Sequence, residues 1–229
     1  MFFRFKRTRL IRITNFVYRV FPVDFVYMSV KKVFDPNTQQ NDLSSKIVVG
    51  LERISQAFKV LLWQQAKELG LSPIQIQILI FIAHHNGPLN NVSALAQEFN
   101  VTKPTISDAI KVLERKSLVI KDHSSPDSRS YTLLLSNLGQ DVVKNTENFT
   151  SYLVTQIDKL NEEDQKGLYR ILGNLIYQLN KNGILSVQRT CYACKFYQKT
   201  TSNHYCHLLE QQLKDADIRL DCVEFEANV

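Results

Sequence analysis

All four cysteines of this 229-residue chain stand within its last 39 residues, spaced Cys191-x2-Cys194-x11-Cys206-x15-Cys222. Four thiols in one short stretch are what a single tetrathiolate site needs. The Cys-x-x-Cys turn lets two sulfurs face one ion, and the other two arrive from separate segments and close the tetrahedron. A metal ion at Cys191, Cys194, Cys206 and Cys222 is therefore expected, with zinc first and an iron–sulfur cluster as the alternative, since both accept four cysteine ligands. Structural disulfides and free thiols compete with that reading. No secretory signal is apparent, and a cytoplasmic setting that keeps thiols reduced weighs against disulfides. His204 and His207 flank Cys206 and stand as candidates to replace a thiolate or to support one.

The length suits one helical domain with a small appendage, and an apolar fraction of 44% is enough for a sizeable core. The net charge of +6 is unevenly placed: residues 1–27 carry six basic groups (Arg4, Lys6, Arg7, Arg9, Arg12, Arg19) against Asp24, a net of +5, which leaves +1 for the remainder. The basic pI therefore says little about the folded part. Residues 1–27 mix aromatics with arginines, fit neither a signal peptide nor a spanning helix, and change composition abruptly at Met28, where we expect translation to start. No transmembrane segment is expected. Residues 31–42 read as a polar lead-in. The expected organisation is an N-terminal extension over 1–43, a helical domain over 44–183 and a Cys-rich tail over 184–229.

From a cap at Ser44 or Ser45, apolar residues recur at Ile47, Leu51, Ile54, Phe58 and Leu61, a heptad-like seam. A second stripe, Leu168, Ile171, Leu172, Leu175, Ile176 and Leu179, follows the acidic start Glu162-Glu163-Asp164 and stops at Gly183. Between them the spacing predicts one long helix over about 136–159. Terminal helices with such faces are natural dimer-forming elements, and packing within one subunit accounts for the pattern equally well. In the segment 72–85, Ile74, Ile76, Ile78 and Ile80 alternate as a strand would. Ser72-Pro73-Ile74-Gln75, however, supplies an N-cap, a proline at the first helical position and a capping-box glutamine, so a helix is expected, closed by His84 and His85.

Residues 91–116, NVSALAQEFNVTKPTISDAIKVLERK, carry the most specific signal outside the cysteines. Asn91 caps a short helix with the buried face Val92, Leu95, Ala96 and Phe99. Asn100 tolerates a left-handed turn, Val101 is expected to plug it, and Thr102 caps a second helix with the inward stripe Ile106, Ala109, Ile110 and Leu113. Outward positions are Lys103, Thr105, Ser107, Asp108, Lys111 and Arg115. A helix small and polar near its start is suited to enter a major groove and present hydroxyls and ammonium groups. The runs 118–120 and 131–135, separated by a polar loop, read as a β-hairpin wing with Arg129 near its tip. An arginine there is placed for a minor groove, and an ion pair with Asp127 is the competing role.

These motifs together resemble the multiple antibiotic resistance regulator (MarR) family. The resemblance is carried by Val92-Ser93-x-Leu95-Ala96, Val101-Thr102-Lys103-Pro104-Thr105-Ile106-Ser107, Leu113-Glu114-x-Lys116-x-Leu118-Val119, Asp127-x-Arg129-Ser130 and Leu135-Ser136-x-x-Gly139. It implies a mainly α fold with a small β-wing: a winged helix-turn-helix with long dimerisation helices. It also implies an obligate homodimer on double-stranded DNA, two recognition helices in successive major grooves, and repression relieved by a ligand or oxidant. Ser117 stands where the family usually has glycine, Ser136 replaces the common threonine, and the wing has one arginine where two are frequent. The tail resembles one carried by some bacterial members, in the segments Cys191 to Phe196, His204 to Leu209 and Asp217 to Cys222.

The expected function is a cytoplasmic, sequence-specific transcriptional regulator, a repressor that reads a pseudo-palindromic operator through Lys103, Thr105, Ser107, Lys111 and Arg129. The alternative is a metal or redox sensor in which the four-cysteine tail controls DNA affinity. An enzyme is not expected. The chain shows no glycine-rich phosphate loop, nucleophile elbow or clustered His and carboxylate set, and a four-thiolate site leaves no open position for hydrolysis.

Overall fold

A computed structural model describes residues 31–85, 87–124, 131–187, 189–200 and 203–227. Contacts divide the chain into two units, 1–55 and 56–229. In the first, Asp35 caps the short helix α1 (Pro36–Asn41) by accepting the Asn37 N–H at 3.0 Å. Helix α2 (Leu43–Leu69) starts just before the two serines offered as caps. Asp42 takes that role, its Oδ2 accepting both the backbone N–H of Ser45 at 2.9 Å and its hydroxyl at 2.5 Å. Lys31 donates to Asp42 at 2.7 Å and, with Ser45, holds that carboxyl down at about 2. A carboxylate serves better than a hydroxyl here because it also meets the positive end of the helix dipole. Ile47, Leu51 and Ile54 are exposed.

The second unit is built around α3 (Pro73–His84). Gln75 Oε1 accepts the Ser72 N–H at 2.9 Å, closing the predicted helix start. Ile76, Ile78, Leu79, Phe81 and Ile82 are all buried, and Ile74 and Ile80 pack against the same core. A helix wrapped on nearly every side has no polar face to reveal its period, which is why its isoleucines alternate in the sequence without forming a strand.

Two short helices follow, α4 (Val92–Glu98) and α5 (Lys103–Arg115), then an antiparallel hairpin of β1 (Val119–Asp122) and β2 (Thr132–Leu135) with Val119 opposite Leu135. The predicted wing is therefore present. Its tip, with Asp127 and Arg129, lies outside the described residues. Ser136 caps α6 (Asn137–Thr146), its hydroxyl accepting the Gly139 N–H at 3.0 Å. At Gly139 the helix passes so close to the wing that an added Cβ would stand 2.1 Å from the Leu118 carbonyl oxygen.

The single helix expected over 136–159 is broken into α6, a 3-10 turn at Glu147–Thr150 and α7 (Ser151–Ile157). At the break Thr146 is buried, and its hydroxyl donates back to the Val142 carbonyl at 2.8 Å. Such back-bonding bends a helix and favours a tighter turn. Helix α8 (Glu162–Lys181) is capped by Asn161 and ends at Gly183, φ +71°, as the sequence indicated. Leu168, Ile171, Leu175 and Leu179 along it are exposed.

The tail forms a small antiparallel sheet of β3 (Tyr197–Lys199), β4 (His204–Cys206) and β5 (Gln211–Leu213), in that order. Cys191, Leu213 and Ile218 make its interior. It rests on α8, where Tyr169 donates to the Ile218 carbonyl and Gly173 leaves room for Leu220 and Tyr192. Among the described residues no single helix is long and apolar enough to cross a membrane.

Candidate functional site

The turn between α4 and α5 is closed by backbone rather than by a side chain. The Val101 N–H reaches the Ala96 carbonyl at 3.0 Å and the Asn100 N–H reaches Gln97 at 3.1 Å, with Asn100 in the left-handed region at φ +53°. This is a Schellman ending on a residue that tolerates it. Val101 itself is 37% exposed and does not plug the turn as expected. Thr102 caps α5 through its hydroxyl, which accepts the Thr105 N–H at 3.3 Å.

Helix α5 buries Ile106, Ala109, Ile110 and Leu113, the stripe predicted, and so turns its other side outward. Lys103, Thr105, Asp108, Lys111 and Arg115 are exposed and Ser107 is half-buried. Thr105 and Thr102 share a hydroxyl contact of 2.8 Å, and Lys111 pairs with Asp108 at 2.9 Å. An exposed pair of that kind contributes little, so Lys111 is free to exchange Asp108 for another anion. Lys121, at the wing base, is committed instead: it pairs with Glu114 at 2.8 Å, which raises its pKa, and lies over the Tyr131 ring.

The four cysteines come together. All are free thiols, Cys191 and Cys194 are buried, and Cys206 and Cys222 are partly so. They line one cavity of about 30 Å³, with Arg219 and Glu224 at its rim. The backbone N–H of Arg219 donates to Cys191 Sγ at 3.3 Å. Its guanidinium lies 3.6 Å from Cys222 Sγ, and that thiol donates to Glu224 at 3.3 Å. Burial pushes the Cys191 thiol up in pKa. The Arg219 N–H opposes this, and Cys222, Cys206 and Cys194 each add to it.

Four thiolates this close repel one another unless a cation sits among them, so as a donor set the residues suit a thiophilic metal. Among the described residues, however, no three His, Cys, Asp or Glu side chains are already disposed as a metal cage. Neither histidine beside Cys206 lines the cavity: His204 Nε2 lies 3.0 Å from Asp215 and His207 Nε2 lies 2.8 Å from Gln198. The candidate donors are the four thiols, with the carboxylates of Asp217 and Glu224 also on the cavity wall.

A second polar centre, not indicated by any motif, joins the tail to α4. Arg189, its side chain 11% exposed, donates to Glu98 at 2.8 Å and to both carboxylate oxygens of Asp221 at 2.6 and 3.2 Å. Burial works against the Arg189 charge, but the two carboxylates outweigh it and its pKa rises. His85 also reaches Asp221, at 2.9 Å, while its ring stacks on Phe81. Isolated charges far apart in sequence give no periodic signal; the one hint is that Arg189 and Asp221 sit two and one residues before Cys191 and Cys222.

Residues 69–130, from the last residue of α2 to a point just before β2, match the MarR family model. Similar solved structures include the transcriptional regulator PA3341, 21% identical over 59% of this chain and 98% of that one, with a TM-score of 0.52. S. aureus MepR in a DNA-binding conformation is 21% identical over 58% and 98% of the two chains, TM-score 0.52. The S. aureus MepR–DNA complex is 23% identical over 56% and 94%, TM-score 0.50. No curated protein matches the chain in sequence. The class that the fold defines is a winged helix of the MarR type. These likenesses span little more than half of the chain.

Proposed function

We propose that this chain is a sequence-specific DNA-binding transcriptional regulator, a repressor acting as a homodimer on a pseudo-palindromic operator in the cytoplasm. The observation that carries this reading is the division of α5: four apolar residues anchor it in the core and leave Lys103, Thr105 and Lys111 on the outer side. Presented to a major groove, that side offers hydroxyls and ammonium groups to base edges and phosphates. Two structures of the MarR-type fold, the MepR complex and the DNA-binding form of MepR, support it by their stated states. Dimerisation is supported by the apolar side chains left exposed on α2 and α8, and a small-molecule effector is part of the same reading. Arg129 is assigned the minor groove.

The test starts from a duplex selected out of a random library by the purified protein. In gel-shift titrations at 0.15 M salt, Lys111→Ala and Arg129→Ala should each weaken binding by about tenfold, from roughly 1–3 kcal/mol per contact. Unchanged affinity in both variants, or a monomeric mass by light scattering, defeats the reading.

A second reading rests on the shared cavity of the four cysteines: the tail holds zinc, with an iron–sulfur cluster as the alternative, and metal occupancy sets DNA affinity. Cys191, Cys194, Cys206 and Cys222 would hold the ion, which would tie the turn at 191–194 to β4 and to the segment before Phe225. Zinc analysis and the visible spectrum of anaerobically purified protein separate the two metals, since only the cluster absorbs there. A protein free of both metals, with its thiols still free, rejects the metal centre.

A further inference from the structure

Ile184, Ser186 and Arg189 all reach the C-terminal end of α4 or the turn that follows it. Ser186 Oγ donates to the Gln97 carbonyl at 2.6 Å and lies 2.8 Å from Asn100 Oδ1, and Asn100 Nδ2 donates to the Ile184 carbonyl at 3.3 Å. Asn100 is the left-handed residue of the helix-turn-helix, so the turn that sets α4 against α5 is itself held from outside. Arg189 completes the attachment through Glu98, the last residue of α4, and its guanidinium lies over the Phe81 ring of α3.

The other half of the guanidinium is fixed by the thiol module. Arg189 and Asp221 pair as a β-bridge, the Cys222 N–H donates to the Arg189 carbonyl at 3.0 Å, and the Cys191 N–H donates to the Arg219 carbonyl at 3.1 Å. The segments leading to Cys191 and Cys222 are thus laid side by side, and the bidentate Arg189–Asp221 contact joins the residues two and one positions before those two thiols. A fork that must reach Asp221 with two bonds and Glu98 with a third is sensitive to small displacements of either strand.

We propose that Arg189 is the coupling residue between the four-thiol centre and the helix-turn-helix: an ion held by Cys191 and Cys222 fixes Asp221 against Arg189, and Arg189 in turn fixes the end of α4. This rests on the metal reading above and names how that site is read out. It makes Arg189 a positioning residue, acting through Asp221 and Glu98 and not as a ligand of the ion or a contact of the duplex. Metal loading favours the state in which Glu98 is gripped, and an ordered α4 presents α5 with less to order on binding. Linkage then requires zinc to tighten DNA binding and DNA to tighten zinc binding by the same factor.

The experiment uses the full chain, apo and with one equivalent of zinc, in the wild type, Arg189→Gln and Glu98→Gln. Zinc uptake, hydrogen exchange of the α4 amides and affinity for the selected duplex are measured on each. The wild type should take up one zinc, gain about tenfold protection in α4 and bind DNA about tenfold more tightly. Both variants should still bind zinc but lose most of the other two responses. Glu98 lies outside the tail, so Glu98→Gln keeps the test intact if Arg189→Gln disturbs tail folding. Zinc uptake by the wild type with no change in α4 protection overturns the coupling and leaves the metal site standing, as do full responses in Glu98→Gln. Absence of zinc uptake by the wild type rejects both.

Discussion

The helical core and the cysteine tail reach order by different means. Around α3, the side chains of Ile76, Ile78, Leu79, Leu95, Ile106, Ile110, Leu113 and Leu133 are essentially inaccessible, whereas the tail has Cys191, Leu213 and Ile218 at its centre. A buried aliphatic side chain contributes roughly 1.5–3 kcal/mol, and ordering each residue costs about 1–2 kcal/mol. Two buried aliphatics cannot offset the ordering of such a segment. The tail therefore depends on its surroundings: on α8 through Tyr169 and Gly173, and on α4 through Arg189. One region is specified by its own hydrophobic pattern, and the other by polar contacts that join residues distant in sequence, with a metal at its thiols as the proposed addition.

Chelation gives that contrast its severest trial. Stripping zinc from the loaded protein should release the tail, since structural zinc in small modules is worth on the order of 10 kcal/mol. Amides of β3, β4 and β5 should lose exchange protection while the helical circular dichroism stays nearly constant. Equal protection in the tail before and after chelation would show that it folds on apolar burial after all. Concerted loss of the helices would show that the two regions are one cooperative unit.

A second trial acts on the winged helix alone. Gly139→Ala would put a methyl group 2.1 Å from the Leu118 carbonyl oxygen, which is backbone and also accepts from Ser136 at 3.1 Å. Overpacking of this kind costs about 3 kcal/mol. Thermal unfolding should shift down accordingly, and zinc uptake by the tail should persist at temperatures where the variant is still folded. A variant as stable as the wild type would mean that α6 can lift off the wing without penalty.

How much of each region was legible follows from the same physics. The α5 stripe, the Asn100 turn, the hairpin and the stop at Gly183 were readable because each is written in a local pattern of burial or backbone conformation. The break after Thr146 was not, because Val142, Phe149 and Leu153 keep a helical spacing through it and only the buried hydroxyl of Thr146 reveals the competition. Asp42 displaced the two serines as a cap because a carboxylate flanked by Lys31 is the better acceptor, a matter of charge that spacing does not show. The convergence of the cysteines was foreseeable from their number and clustering. Arg189 with Glu98 was not, since a contact across 91 residues leaves no trace in either neighbourhood.

The gentlest test turns on Ser117, where a residue stands in a glycine's place. Helix α5 ends as α4 does: the Leu118 N–H reaches the Leu113 carbonyl at 2.9 Å and the Ser117 N–H reaches Glu114 at 2.8 Å, with Ser117 at φ +57°. Unlike asparagine at position 100, serine has little aptitude for that region, and a non-glycine residue there costs roughly 1–2 kcal/mol. Glycine removes the cost but adds freedom to the unfolded chain, worth about 0.4–1 kcal/mol in the opposite direction. The backbone carbonyl of Ser117, which accepts from the Ser136 hydroxyl at 2.6 Å, is kept. Ser117→Gly should therefore stabilise the winged helix by roughly 0.5–1 kcal/mol, raising its Tm by about 1–4 °C, and leave the exchange pattern of the tail untouched. A fall in Tm would mean that the left-handed serine carries no strain here. A gain in tail protection would mean that the end of α5, and not only α4 and α8, bears on the cysteine module.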